Sequence, residues 1–385
     1  DWVRAEGTTL GADNGIGVAT IMSILAGKDL PHPAIEALFT IDEETGMTGA
    51  LGLKGGILRG ELLLNLDTEN DHEIDIGCAG GIDVTATRRY REEPAPKGMS
   101  GYTLRVTGLK GGHSGMDIHK GLGNANKIMN RLLYGVSERV GLRIARISGG
   151  SLRNAIPRES EAGILVPLEQ EQTLSAEINR LAEEVKFEFR TTEPSLAIHL
   201  ESEQGMDRVM NREDQEQLLR CLYAAHNGVY RMSADIHDLV ETSNNVAKVT
   251  AGNGEIVIAC LTRSSLESSK MDLALALKAC FELGGCGVEF SGAYPGWTPN
   301  VHSPLLTLLI SIYEKQHGTR PEVVACHAGL ECGILGRHYP GMDMISFGPT
   351  ILGAHSPDER VSVSSVQKYW NFVTEILKNI PLRQS

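Results

Sequence analysis

The sequence predicts an α/β protein carrying an inserted α+β domain, and three features of its patterning lead there. Residues 36–42 (EALFTID) and 61–67 (ELLLNLD) are short apolar runs that end in acids without clean polar alternation, the pattern of parallel strands buried on both faces. From about residue 83 to 290 the texture changes to alternating strands, such as 102–108 (YTLRVTG) and 255–263 (EIVIACLTR), separated by amphipathic helices. After GAYPGW (292–297) the first texture returns. The outer domain is therefore expected over 1–82 and 291–385, with a separate α+β domain inserted at 83–290.

Taken in order, GIGVATIMSILAG (15–27) places Val18, Met22 and Leu25 at helical spacing, with Asp13 and Asn14 available to start the helix. In the insert, Ala125, Ile128, Met129, Leu132 and Leu133 share one helical face. Beyond it, the pattern gives a helix over 304–317, a strand over 342–348 (MDMISFG) and a terminal helix over 364–377. There is no internal repeat and no low-complexity segment.

Composition narrows the function. The 385 residues, 41% hydrophobic, are enough for more than one domain. Lys and Arg number 36 against 49 Asp and Glu, a net charge of −13, and no basic run marks a phosphate-binding face. Nucleic acid and membranes are thus not expected as partners. The 7 cysteines are odd in number and scattered without a CxxC pair, which favours a reducing, cytoplasmic setting. No run approaches the ~18 to 20 apolar residues of a membrane span. Because the sequence opens at Asp1 without a methionine and is inside a Gly-rich motif by Gly7, further polypeptide is expected upstream.

Glu43, Glu44 and Asp67 fall just beyond the two apolar runs, where open α/β sheets place their sites. Carboxylates converging at one sheet edge repel unless cations neutralise them, so the placement argues for metal. Read alone, Asp42, Glu43 and Glu44 are equally an ordinary solvated acidic loop. GLKGGHSG (108–115) lacks the Lys-Ser/Thr ending of a phosphate-binding loop, and GADNGIG (11–17) lacks the spacing of a dinucleotide fingerprint.

Six stretches, in order and spanning nearly the whole sequence, resemble one family. GTTLGADNG (7–15), TIDEETGMTGA (40–50), NLDTEN (65–70), GLKGGHSG (108–115), GGSLRNAIPRE (149–159) and GPTILGAHSPDE (348–359) are similar to the aminoacyl-histidine (Xaa-His, β-alanyl-histidine) dipeptidases of the M20 metallopeptidase family. The resemblance implies an α/β metallopeptidase catalytic domain with an inserted lid and dimerisation domain. It implies hydrolysis of small peptides by a water activated between two divalent ions, zinc foremost, with manganese or cobalt compatible. Asp13 would bridge the ions, with Glu44, Asp67 and His355 as further ligands. Glu43 would be the general base, and His113 the donor to the tetrahedral oxyanion, reaching a partner's site across a homodimer. Arg263 would clamp a peptide carboxylate, and Asn154 and Asn244 would add amide hydrogen bonds. Glu331 borders the substrate site in the same comparison, and Cys326 and Cys332 beside it are not expected to bind metal.

The sequence also departs from the family. A His-x-Asp pair that precedes the bridging Asp in the family is not in this sequence, and His32, His72 and His237 do not replace it. The metal site visible here is expected to be incomplete, and the missing pair to lie upstream. Two alternatives remain open at this level: an aminoacylase or deacetylase using the same metals on N-acyl amino acids, and a non-catalytic binding protein of the same fold.

Overall fold

Four short strands, in the order Glu322–Cys326, Glu73–Cys78, Asp343–Ser346 and Leu62–Asn65, form one sheet of the protein, and nine strands form another. The computed structural model describes residues 1–381. It divides the chain into two units, one made of Asp1–Ala79, Ala234–Leu239 and the stretch from Pro295, the other of Gly80–Ser233 and Val240–Tyr294. Residues 234–239, inside the stretch expected as insert, thus group with the outer unit.

In the first unit, Leu62–Asn65 runs parallel to Asp343–Ser346 with Leu63 opposite Met344, and Glu73–Cys78 runs parallel to Glu322–Cys326. Helix Pro304–His317 begins at Ser303, whose hydroxyl accepts from the Leu306 N–H at 2.9 Å, with Pro304 at a position that needs no donor. Helix Val363–Asn379 buries Tyr369, Phe372, Val373 and Ile376, a stripe at i, i+3, i+4 and i+7. These side chains close on Ile74, Ile76, Leu309, Ile345 and Phe347 to make the core.

Two sequence expectations fail here. Residues 36–42 form no strand, and Phe39 and Ile41 are 49% and 73% exposed. A buried strand needs a neighbour to satisfy its backbone, and no described strand pairs with this run. Helix Ala12–Ala26 forms where expected, but it buries Ala12, Gly17, Thr20 and Ile24 and exposes Val18, Met22 and Leu25. Apolar residues lie all around this helix, so spacing alone does not select the buried face.

The second unit is antiparallel throughout its sheet. Its strands follow the order Ala197–Ser202, Met99–Thr107, Ser160–Pro167, Arg143–Gly149, Val240–Gly252, Glu255–Ser264, Gly80–Arg89 and Gly287–Tyr294, with Gly228–Met232 also beside Val240–Gly252. Helix Ala125–Val140 lays Ala125, Ile128, Met129, Leu132 and Leu133 into the core, as its periodicity predicts. Asn124 caps it, its side-chain oxygen accepting from the N–H groups of Asn126 and Lys127.

Candidate metal centre

The candidate ligands sit on or beside backbone that departs from regular structure. Asp13 lies in the first turn of Ala12–Ala26, after Gly11 at φ 75°, and its own φ and ψ are not helical. The turn is held from far along the chain: the Glu359 carboxylate accepts from the N–H groups of Gly11 and Ala12 at 2.8 Å and of Asp13 at 3.1 Å. Asn14 restarts the helix, its Oδ1 accepting from the Gly17 N–H.

Glu43 and Glu44 open the short helix Glu43–Gly46, bracketed by Asp42 at φ 63° and Met47 at φ 53°. Gly49 packs against Ile41, where an added Cβ would stand 2.6 Å from the Ile41 nitrogen, so only glycine fits there. Asp67 follows Leu62–Asn65. Its neighbour Thr68 is buried, donating to Asp75 Oδ2 at 2.7 Å and bonding Ser346 Oγ at 2.9 Å, which ties the loop to the sheet. His355 stands at φ 63°, a left-handed conformation rare outside glycine, as the backbones of functional residues often are.

These elements bring three donors together. His355 Nε2 lies 3.0 Å from Asp13 Oδ2 and 3.1 Å from Glu44 Oε2. One ligand atom each from Asp13, Glu44 and His355 falls within 4.8 Å of the others. Asp67, the fourth expected ligand, is not in that group of three, though it interacts electrostatically with Asp13. Glu331 opens helix Glu331–His338 nearby in charge terms, its Oε2 accepting from Thr40 Oγ1 at 2.7 Å while its buried Oε1 has no partner.

The electrostatics are those of crowded acids. Burial first, then the charges of Glu44, Glu331 and Asp13, push the Glu43 carboxyl up to about 7, against the opposing pull of His355. Asp67 is raised by burial and then by Asp13, Glu43 and Glu331. Burial also raises Glu44, although His355 pulls it down. Burial lowers His355, but its bond to Asp13 and the charges of Glu44, Asp13 and Glu69 outweigh that and raise it. Glu359 goes the other way: burial would raise it, yet the N–H groups around Asp13 hold it below its ordinary value. The carboxylates repel one another, and with the His355 imidazole they make a donor set that fits a divalent cation.

In the second unit, the structure brings His113 and Arg263 together. His113 Nδ1 accepts from the backbone N–H groups of Gly115 and Met116, at 3.2 and 3.0 Å. Burial and the Arg263 charge lower its pKa to about 4. A neutral ring whose Nδ1 is an acceptor carries its proton on Nε2. Arg263 Nη2, 3.5 Å from that Nε2, is also a donor, so the two present donors side by side. Arg263 is buried, and its other partners are the hydroxyls of Ser114 at 3.4 Å and Tyr294 at 2.7 Å. Asn244 is fully buried with its amide engaged, donating to the His226 carbonyl at 2.7 Å and accepting from Thr262 at 3.1 Å. The Asn154 side chain is exposed, and its carbonyl accepts from the Ser114 N–H at 2.8 Å.

Sequence reasoning missed Glu359 and Tyr294. Glu359 lies four residues after His355 in the quoted motif, and its acid at the end of GAHSPDE was the available signal. Tyr294 has no such signal, since its role depends on strand register.

A mainly parallel α/β unit with an acid-and-imidazole cluster on its loops is thus interrupted by an antiparallel α+β unit. Residues 95–193 match the peptidase dimerisation domain. The chain is 44% identical over 383 residues to the cytosol non-specific dipeptidase of Escherichia coli, covering 100% of this chain and 79% of that protein. It superposes on the aminoacylhistidine dipeptidase of Vibrio alginolyticus with a TM-score of 0.94 at 44% identity, covering 100% of this chain and 78% of that one. A tripeptidase of Staphylococcus aureus, at 15% identity and TM-score 0.51 over 98% of this chain and 73% of that one, shares the fold. The chain belongs to the aminoacyl-histidine dipeptidases of the M20 metallopeptidase family, enzymes that hydrolyse dipeptides with divalent metal. No helix among the described residues is long and apolar enough to cross a membrane.

Proposed function

We propose that the protein hydrolyses the peptide bond of Xaa-His and related dipeptides in the cytoplasm, using two divalent ions, zinc foremost. Asp13 would hold both ions, with Glu44, Asp67 and His355 each ligating one. When bound, the metal supplies a Lewis acid and lowers the pKa of water. Glu43 takes the proton of the attacking water and delivers it to the leaving amine. His113 would donate its Nε2–H to the tetrahedral oxyanion in a partner's site across the homodimer. Arg263 binds the peptide carboxylate, with amide support from Asn154, whose side chain is exposed, more readily than from Asn244, whose amide is already engaged. The second unit, which contains the dimerisation-domain match, is the proposed homodimer surface.

The observation that carries this reading is the approach of His355 Nε2 to Asp13 and Glu44 within 3.1 Å, from three separate parts of the chain, beside a Glu43 that no ligand role requires. The test is Glu43→Ala, which should keep the bound metal and lose nearly all turnover. Rates on Xaa-His dipeptides set against N-acetyl amino acids separate a dipeptidase from an aminoacylase.

A further inference from the structure

Arg263 and Tyr294 meet across an intervening strand. On one side Arg263 pairs with Gly81, and on the other Gly81 pairs with Tyr294, so the three stand in one row over three adjacent strands. Neighbouring strands are about 4.8 Å apart, and a side chain in the middle position would separate the outer two. Gly81 has none. A Cβ there would lie 2.6 Å from the Tyr294 ring, which occupies that space, and the Tyr294 hydroxyl accepts a hydrogen bond from Arg263 Nη1 at 2.7 Å.

A bulge creates the row. From the pairing of Ser291 with Asp83, an unbroken ladder would set Ala293 opposite Gly81. The register shift between Ser291 and Tyr294, with Gly292 at φ 56°, inserts one residue and presents Tyr294 instead. The Tyr294 backbone is fixed in turn: Lys270 Nζ, on a side chain 1% exposed, donates to the Tyr294 carbonyl at 2.9 Å and pairs with Glu267 at 2.8 Å. The buried ammonium is thus satisfied by a carboxylate and a carbonyl together, and it ties the Tyr294 backbone to helix Glu267–Leu283.

We propose that Tyr294 is a positioning residue: through the space left by Gly81 it fixes the Arg263 guanidinium so that its Nη2 face, beside His113 Nε2–H, meets the substrate carboxylate. The inference rests on the reading of Arg263 as the carboxylate ligand. The guanidinium meets Ser114, Tyr294 and His113, and the Asp83 carboxylate, which its charge also acts on, is drawn to Arg153 first, so the guanidinium can take an arriving anion while the tyrosine removes rotamer freedom that binding would otherwise have to quench.

The full chain with its metal is assayed on a dipeptide and on the same dipeptide with its C-terminal carboxylate amidated, as KM or, where turnover is slow, as Ki. In the parent the acid should bind more tightly than the amide. Tyr294→Phe should weaken the acid about tenfold, near the lower end of what a hydrogen bond to a charged group contributes, while leaving kcat and the amide value unchanged. Gly81→Ala keeps the hydroxyl but displaces the ring, and should reproduce the same selective loss. Equal losses on acid and amide in Tyr294→Phe, or a fall in kcat alone, mean a merely structural tyrosine and overturn the proposal. Arg263→Gln separates the two readings. If it leaves the acid preference intact, the carboxylate assignment fails and the positioning role with it. If it abolishes the preference while Tyr294→Phe keeps it, only the positioning role fails.

Discussion

Glu359 holds the backbone of Asp13 from 346 residues away, its Oε1 accepting the Asp13 N–H at 3.1 Å while the same carboxylate takes the N–H groups of Gly11 and Ala12 at 2.8 Å. The acid four residues beyond one proposed ligand, His355, thus orients the turn carrying another. Glu359 is 1% exposed and serves as the anion at this helix start.

Glu359→Gln keeps the shape and removes the charge, so it should destabilise the protein by roughly 1.5–3 kcal/mol, the worth of hydrogen bonds to a charged group. Its pH dependence follows from the lowered carboxyl. Stability from a depressed acid is present above the unfolded value, near 4.5, and is lost as pH falls through the lower folded value. Urea unfolding of parent and variant should therefore differ at pH 7 and converge in acid. A constant gap across that range would show that charge is not the cause.

The acids of the candidate centre predict the opposite slope in metal-free protein. Glu43 is raised from 4.5 to about 7, so the folded state binds more protons than the unfolded one across that window, and stability falls as pH rises through it. Asp67, Glu44 and His355, all raised, act in the same direction. Thermal unfolding in chelator should show Tm dropping between about pH 4.5 and 7, and added zinc should restore most of the loss at pH 7 by binding the native state. Identical Tm profiles with and without metal would sink the assignment of this cluster as a metal centre.

His113 should be a neutral Nε2–H tautomer at pH 7, visible in its ring nitrogen shifts. As donor to an oxyanion, its loss in His113→Ala should cost about 10²–10³ in kcat with metal content unchanged. Its depressed pKa also means that acid must protonate a ring the fold keeps neutral. The stability it contributes is present above 6.5 and is lost as pH falls toward about 4. A protonated Nδ1 at pH 7 would remove the basis for reading Nε2 as a donor.

Legibility from sequence followed locality. Helices Pro304–His317 and Val363–Asn379 were readable because caps and apolar stripes lie within a few residues of each other. Glu43, Glu44 and Asp67 stand out in the sequence as acids after strand-like runs, although 36–42 is not a strand, while Asp13 and the grouping with His355 come from the family resemblance alone. Residues 36–42 were misread because an apolar run signals burial only if a partner strand exists, which composition does not reveal. The row of Arg263, Gly81 and Tyr294 was invisible because one bulged residue decides which side chain faces Gly81. Asn244 is expected from the resemblance as a substrate contact, whereas its amide is engaged at both ends, by Thr262 of the sheet and the His226 carbonyl of a loop.

The corrected face of helix Ala12–Ala26 gives a direct check on that lesson. Ile24 is 7% exposed and packs in the core with Leu66, Tyr369 and Phe372, whereas Met22, two residues earlier, is 61% exposed. Removing buried methylenes leaves a cavity as well as losing transfer energy, so Ile24→Ala should cost about 2–5 kcal/mol in this 385-residue chain. Met22→Gln exchanges one unbranched helix former for another on an exposed face and should stay within about 0.5 kcal/mol. Denaturant midpoints at constant m separate the two outcomes. Were Met22→Gln the costlier change, the face first suggested by the spacing of Val18, Met22 and Leu25 would be the one that packs, and the helix would have to be rotated about its axis relative to the sheet.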